Sequence, residues 1–345
     1  MKPSRPGFAL AFAAFLGAAS IFADFLSSNP PAMQNLEQFY HPPVRVCFAG
    51  GRETPSGRPF IYRTELKEPL DALYEENHET AYPLEFFFKG YPYRLLGLIP
   101  MDLHLVGRSR PPLYYPLGTD ELGRDVLARV LAGTRTSMLV ILTGLIVYAA
   151  LGIAIGSCAG FFGGWVDSCL MRLSEFVLAL PALYLLLAMR AVLPMRIPFA
   201  PTLFLMVGTI AAVAWPPMAR GIRGLILQLK SSGYVEAARS LGATPIHILR
   251  RHMLPSLLPF VLTQLAVAAP IFLLGEVVLS FLDIGFRDSG ESWGSMLRNL
   301  KDVRVLTDFW WNLLPLCMVF LTLLCLNMLS SPSGGGKQED RPLGI

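Results

Sequence analysis

The run Gly334-Gly335-Gly336-Lys337 is the nearest this sequence comes to a loop that cradles phosphate, and it lacks what that chemistry needs. A phosphate loop requires an earlier glycine at fixed spacing, a hydroxyl residue after the lysine and a preceding strand. Here Gln338 follows the lysine and an apolar run precedes the glycines, so residues 331–345 read as a flexible tail. His247 and His252 are five residues apart in a stretch rich in arginine, a poor spacing for two ligands of one metal, and they read as surface side chains. No Cys or His cluster has metal-ligand spacing, and no nucleophile elbow or catalytic carboxylate pair occurs. The sequence predicts no enzyme and no cofactor bound by this chain. If its work is powered, a partner supplies the power.

The residues best placed to do something specific lie in YVEAARSLGATPIHILRRHMLP, Tyr234 to Pro255. Tyr234 to Leu241 has good helix formers with Val235, Ala238, Leu241 and Tyr234 on an apolar side. Gly242 stops that helix, because glycine accepts the left-handed conformation that ends helices. Ala243 follows, and Thr244-Pro245 makes an N-cap and first-turn pair for a second helix that runs to Pro255. Ala237 and Ala238 would let a partner surface approach closely, and Glu236 can reach a cationic group there. Two readings fit these residues: a docking knob for a partner, or a helix pair lying on the membrane with Arg250 and Arg251 beside acidic headgroups.

The elements that position this segment are apolar. Hydrophobic residues make up 53% of the chain and charged ones 16%, with mean hydropathy +0.48. A soluble domain carries charge nearer a quarter of its residues, so the apolar excess is predicted to lie in lipid. A net charge of +4 with no broad basic face excludes a nucleic-acid binder. A bilayer core of about 30 Å needs roughly 20 helical residues. On that measure six spans are predicted, near residues 8–26, 137–157, 173–193, 199–218, 257–282 and 307–329. The first also resembles a secretory signal, with Lys2 and Arg5 before a short apolar stretch. Arg220, Arg223, Lys230, Arg239, Arg250 and Arg251 face one acid, Glu236, which places residues 228–256 in the cytoplasm. Counting spans outward puts both termini there as well.

The predicted domains are a cytoplasmic N-terminus with the first span (1–26), an exported insert (27–136) and a core of five spans (137–330). In the insert, alternating stretches such as FIYRTEL and LEFFFKGYPYRLLG could pair as strands, giving a small external domain. Only Cys47 of the five cysteines lies there, so an intrachain disulfide framework outside is excluded. The insert is expected to end in an amphipathic helix along the outer surface, capped by Thr119 or Asp120, with Leu122, Val126, Leu127, Val130 and Leu131 on its apolar side. Glu276 is an ionisable residue inside an apolar span, where it would normally face a pathway or a partner; both a lining role and a contact with a companion subunit fit. Pro181 and Pro270 predict bends.

The pattern formed by Glu236, Ala237, Ala238, Gly242, Ala243, Leu254 and Pro255 resembles the cytoplasmic signature of permease subunits in binding-protein-dependent ABC importers. PLGTDELGRDVLARVLAGTRTS, FFGGWVDSCLMRLSE, LGEVVLSFLDIGF and SWGSML resemble the dipeptide, oligopeptide and nickel branch, in family order over about two thirds of the chain. The resemblance implies an all-α integral membrane protein of the type I importer permease fold, with six transmembrane helices, in the bacterial inner membrane. It implies pairing with a second homologous permease, two cytoplasmic ATPase subunits that bind ATP and Mg, and an exported substrate-binding protein. It makes Glu236, Ala237, Ala238, Gly242, Ala243 and Pro255 the ATPase-coupling residues. The long insert and the tail depart from the family pattern. An ion-driven transporter would instead call for more buried charge and a visible inverted repeat. A membrane-anchored structural protein would lose its work when residues 29–110 are removed. Gly242→Trp is expected to abolish uptake while leaving membrane insertion intact; normal uptake by that variant would contradict the coupling role.

Overall fold

The computed structural model of the protein describes residues 5–48, 58–95, 97–181, 184, 187–188, 198–282, 285–286 and 290–330. Small and apolar residues build α1 (Arg5–Ile21), which breaks at Phe22 and resumes as a single turn, α2 (Ala23–Leu26). Its apolar stretch, Gly7–Ile21, is shorter than a full bilayer crossing.

The insert then forms two antiparallel hairpins, β1 (Phe60–Glu68) with β2 (Leu73–Pro83), and β3 (Glu85–Leu95) with β4 (Ile99–Gly107). The chain is therefore not all-α. The two stretches with alternating apolar residues contribute to β1 and β3, as their period predicts. Each hairpin is tied to helices. The buried His104 ring of β4 reaches the carbonyl oxygens of Asp24 and Ser27 at 2.8 Å. On the first hairpin the Tyr74 hydroxyl donates to the Phe39 carbonyl at 2.7 Å, and Arg304 donates to the Leu70 carbonyl at 3.0 Å and to Asp71.

Asp125 opens the long helix α3 (Val126–Phe162) by accepting hydrogen bonds from the Leu127 and Ala128 N–H groups at 2.9 and 3.3 Å. This corrects two expectations. Residues 119–125 form a turn closed by a bridge between Thr119 and Asp125, so neither Thr119 nor Asp120 is the cap. No separate surface helix precedes the second span either: Val126, Leu127, Val130 and Leu131 are the first turns of the same unbroken helix. The sequence offers no proline between Val126 and Phe162, and five glycines in that run are tolerated because neighbours pack against them.

Those glycines set the core. After α4 (Gly164–Ala179), helices α5 (Phe199–Ala214) and α6 (Pro216–Lys230) meet at a 52° bend, where Pro216 carries no N–H to continue the ladder. The fourth predicted span thus runs on past Met218 as a bent pair. α6 lies along α3 on its glycine face. A Cβ added to Gly152 would sit 2.2 Å from Met218 Cγ, and one on Gly156 2.5 Å from the Ala219 carbonyl oxygen. Small residues let helix backbones approach this closely in lipid, where packing replaces the hydrophobic drive. Met218, Ile222 and Ile226 fill the seam and are fully buried.

Helix α7 (Gly233–Ser240) and the turn α8 (Pro245–Ile248) follow α6. Then come α9 (Leu258–Phe281), α10 (Trp293–Leu297), α11 (Val303–Asp308) and α12 (Leu314–Ser330). Pro270 lies inside α9, which continues through it, whereas Pro181 falls after α4 has ended. Among the described residues three helices are long and apolar enough to cross a membrane, or four if α5 and α6 count as one bent span. Much of the third predicted span (182–183, 185–186 and 189–193) and the whole tail lie outside the described residues.

Gly156→Val is expected to destabilise the protein by about 1–3 kcal/mol, since backbone and side chains of α6 must move to admit the new atoms. Gly224→Ala, with nothing within 4 Å of its added Cβ, is expected to cost nothing and to stabilise by up to about 1 kcal/mol, because alanine is the better helix former. Thermal unfolding of both variants in detergent checks this; equal unfolding temperatures would contradict the packing account.

Candidate functional site

The segment from Gly233 to Pro255 is held at the end of α3 remote from the insert. Lys230, at the end of α6, donates to the Phe161 carbonyl at 2.8 Å, where α3 finishes. A cation belongs there, against the negative end of the helix dipole. Arg223 of α6 donates to both carboxylate oxygens of Asp167 in α4, at 2.5 and 2.6 Å. The base from which α7 emerges is thereby fastened to two helices.

On that base α7 presents one face outward. Val235 is buried and Ala238 packs on the core, while Glu236 and Ala237 are exposed. Gly242, at φ +80°, ends the helix. Its N–H donates to the Arg239 carbonyl at 3.0 Å and the Ala243 N–H to the Ala238 carbonyl at 3.1 Å, the paired bonds of a Schellman turn. No atom lies within 4 Å of a Cβ built on Gly242, so within this chain a larger residue there is resisted by backbone conformation alone. The Thr244 hydroxyl accepts from the His247 N–H at 3.4 Å, as the N-cap reading expects. Leu241 departs from expectation: it is 88% exposed, because the Schellman turn swings it off the packed face. Tyr234 and Ile246 are exposed as well.

The second helix runs from Pro245 to Ser256 as its sequence reading expects, but it widens on the way: Leu249–Met253 is a π turn closed by the Leu254 N–H on the Leu249 carbonyl. Pro255, which has no N–H to offer the carbonyl four residues back, follows that widened turn and is exposed. Glu236, Ala237, Gly242 and Pro255 are therefore all at the surface, with Ala238 and Ala243 half-buried beneath them.

Glu276 lies in the second half of α9. It is fully buried within this chain, and it accepts from the Ser137 hydroxyl of α3 at 3.2 Å and the Ser280 hydroxyl at 2.9 Å, with Ser292 a third hydroxyl in reach. It joins α3, α9 and the start of α10. The apolar run around it masks serines that come close only in the fold.

At the insert end a buried ion network escaped the sequence reading. Arg129 pairs with Asp120 and, through two donors at 2.7 and 2.9 Å, with Glu291. Arg124 pairs with Asp120 at 2.8 Å, and Asp120 also accepts the Leu122 and Arg124 N–H groups at 2.9 Å. Two acids and two arginines balance, which is the condition for burying them. Beside them Asn29 donates to Asp125 at 2.8 Å, and the Trp311 indole donates to the Thr119 carbonyl at 2.9 Å. The signal was the charge spacing in TDELGRDVLAR; its partner Glu291 lies 162 residues away from Arg129.

The chain belongs to the family described as binding-protein-dependent transport system inner membrane component, whose profile matches residues 152–331. It is a multi-pass inner-membrane permease. It is 34% identical over 223 residues to a dipeptide transport system permease of Bacillus subtilis (strain 168), covering 64% of this chain and 66% of that one. A putative peptide permease of Brucella suis is 32% identical over 72% of this chain and 80% of its own length. A probable D,D-dipeptide transport system permease of Escherichia coli K12 is 32% identical over 70% and 81%. Among solved structures, an inward-facing methionine ABC transporter matches with a TM-score of 0.44 and 16% identity over 59% of this chain and 94% of that one.

Burial pushes the Asp125 carboxyl up to about 6 against the hydrogen bonds of Asn29, Ala128 and Leu127, which favour its charge. The folded chain thus holds a proton on Asp125 between about pH 4 and 6 that the unfolded chain has released. This group's contribution to stability is greatest below pH 4 and falls as pH rises to about 6, by roughly 3 kcal/mol. Asp125→Asn is expected to flatten that part of the profile, read as the difference between variant and parent unfolding temperatures from pH 4 to 7. A constant difference across that range would contradict it.

Proposed function

We propose that this chain is the permease subunit of an ATP-driven importer of peptides, peptide-like compounds or nickel chelates. It pairs with a second homologous permease, two cytoplasmic ATPases and an exported binding protein. The observation that carries this reading is the surface-exposed knob of Glu236, Ala237 and Gly242, fastened at the end of α3 opposite the insert. Six crossings of a type I importer permease fit the chain directions. α1 and α9 run toward the insert end, where Asp24 meets Arg135 and Glu276 meets Ser137. α3 and α12 run away from it, starting at Asp125 and just after Trp311.

ATP binding closes the two ATPases, and each carries a coupling knob with it. Motion of α7 passes to α6 through the short turn at Ser231 and Ser232, and from α6 to α3 across the glycine seam. The cavity shared by the two permeases then changes from inward-facing to outward-facing and accepts substrate from the binding protein. Hydrolysis resets it. ATP and Mg belong to the ATPase subunits, and this chain supplies no catalytic group. The peptide permeases among its relatives support a peptide-like substrate.

Uptake of a labelled dipeptide by proteoliposomes holding the whole complex, with its binding protein outside, is expected to require ATP in the compartment that holds the ATPase subunits. Uptake driven by an imposed proton gradient without ATP would contradict the reading and favour an ion-driven transporter.

A further inference from the structure

Arg223 takes part in two contacts at once. Its backbone lies in the glycine seam, where a Cβ added to Gly160 of α3 would sit 3.0 Å from the Arg223 carbonyl oxygen. Its side chain reaches α4 and grips both carboxylate oxygens of Asp167, at 2.5 and 2.6 Å. From Arg223 the helix α6 runs on to Lys230, and α7 with the knob starts at Gly233. We propose that the Arg223–Asp167 pair is the strap through which the knob moves α4: it makes a hinged helix follow α6, and both residues act as positioning residues for transport.

Within this chain little else ties α4 down. Only Ser174 of its 16 residues is buried, whereas α5, of the same length, buries seven. Trp165, Leu173, Phe176 and Leu178 are exposed. Among the described residues the other side-chain hydrogen bonds of α4 stay inside the helix: Ser168 donates to the Gly164 carbonyl, Ser174 to the Met171 carbonyl and Arg172 to Glu175. The helix leaves α3 through Gly163 and Gly164, at φ +67° and +55°, and no atom lies within 4 Å of a Cβ built on either. Two adjacent glycines in open space let the backbone turn with little steric resistance, which is how a hinge absorbs a change of direction. An arm mounted in this way swings about the end of α3 unless something holds it.

The pair suits that task better than the task of adding stability. Its side chains are 34% and 17% exposed, and ion pairs open to water contribute little to folding. What a guanidinium gripping both oxygens of a carboxylate does provide is a fixed orientation, which a lysine would not supply. The seam already fastens α6 to α3 by backbone contact, so the pair adds the position of α4 and not that of α6. Asp167 also sits in the first turn of α4, close to the hinge. A small shift there becomes a larger one at Ala179, about 18 Å further along the helix. With the pair closed, α3, α4 and α6 move as one body; with it open, the knob moves without α4.

The proposal rests on the permease reading above, and the test separates the two. Whole complexes in proteoliposomes carry Asp167→Arg, Arg223→Asp or both, and uptake of a labelled dipeptide is divided by ATP hydrolysed. Each single reversal is expected to lower that ratio about tenfold, and the double exchange to return it to within about threefold of the parent, because it rebuilds the link. Misfolded complexes lower uptake and hydrolysis together and leave the ratio where it was. A second readout uses nitroxide-bearing amino acids at the exposed positions Arg172 of α4 and Gln228 of α6. The parent is expected to give one narrow distance distribution with and without trapped ATP, and Asp167→Asn to broaden it. A parent-like ratio in both single variants, a double variant no better than the singles, or an equally narrow distribution in Asp167→Asn would overturn the inference and leave the permease reading intact. No ATP-dependent uptake by the parent complex would overturn both.

Discussion

Arg129 holds the structure together at the insert end. Its guanidinium is buried between Asp120 and Glu291, and each of those acids belongs to a different stretch of chain. Asp120 shapes the turn that delivers Asp125 to the start of α3; Glu291 sits directly before the capping box that starts α10. Removing one member would leave uncompensated buried charge, the expensive case for an ion pair. What the network provides is position. It sets the height at which α3 begins, and with it the registers of Ser137 against Glu276 and of the glycine seam against α6.

From that anchor α3 runs 37 residues without a break. At about 1.5 Å per residue this is a rod of roughly 55 Å, well beyond a bilayer core. One end carries the insert through Asn29, Thr119 and Trp311, and the other is capped by Lys230, a short turn away from the exposed Glu236 knob. The bend at Pro216 gives α6 its own direction, so that the helix leading into the knob lies along the rod and not across it. A displacement of the knob therefore reaches α3 through close backbone packing, which transmits strain with little compliance.

Much of this was legible in the sequence wherever one residue type answers one local need. Gly242 before Thr244-Pro245 announced a helix stop and a new start, and both are present with the expected hydrogen bonds. Apolar length located three helices long enough to cross a membrane and the bent pair at the fourth predicted span, and period-two alternation located β1 and β3. What escaped was non-local. Thr119, Asp120 and Asp125 are all competent caps, and the choice among them depends on Asn29 and Trp311, far away in the chain. The hydroxyl partners of Glu276 were not legible in its own apolar run because they come from three elements. Leu241 has helical periodicity with Val235 and Ala238, but the turn at Gly242 takes precedence over that pattern.

The central claim is that the knob at Glu236 couples this permease to separate ATPases. The most direct measurement is purification of the tagged chain from its native membrane in mild detergent, followed by mass spectrometry and an ATP hydrolysis assay, with and without Glu236→Lys. The account predicts a second permease and hydrolytically active ATPase subunits with the parent chain, and loss of the ATPases with the variant. A well-folded chain recovered alone, or ATPases retained equally by Glu236→Lys, would contradict it.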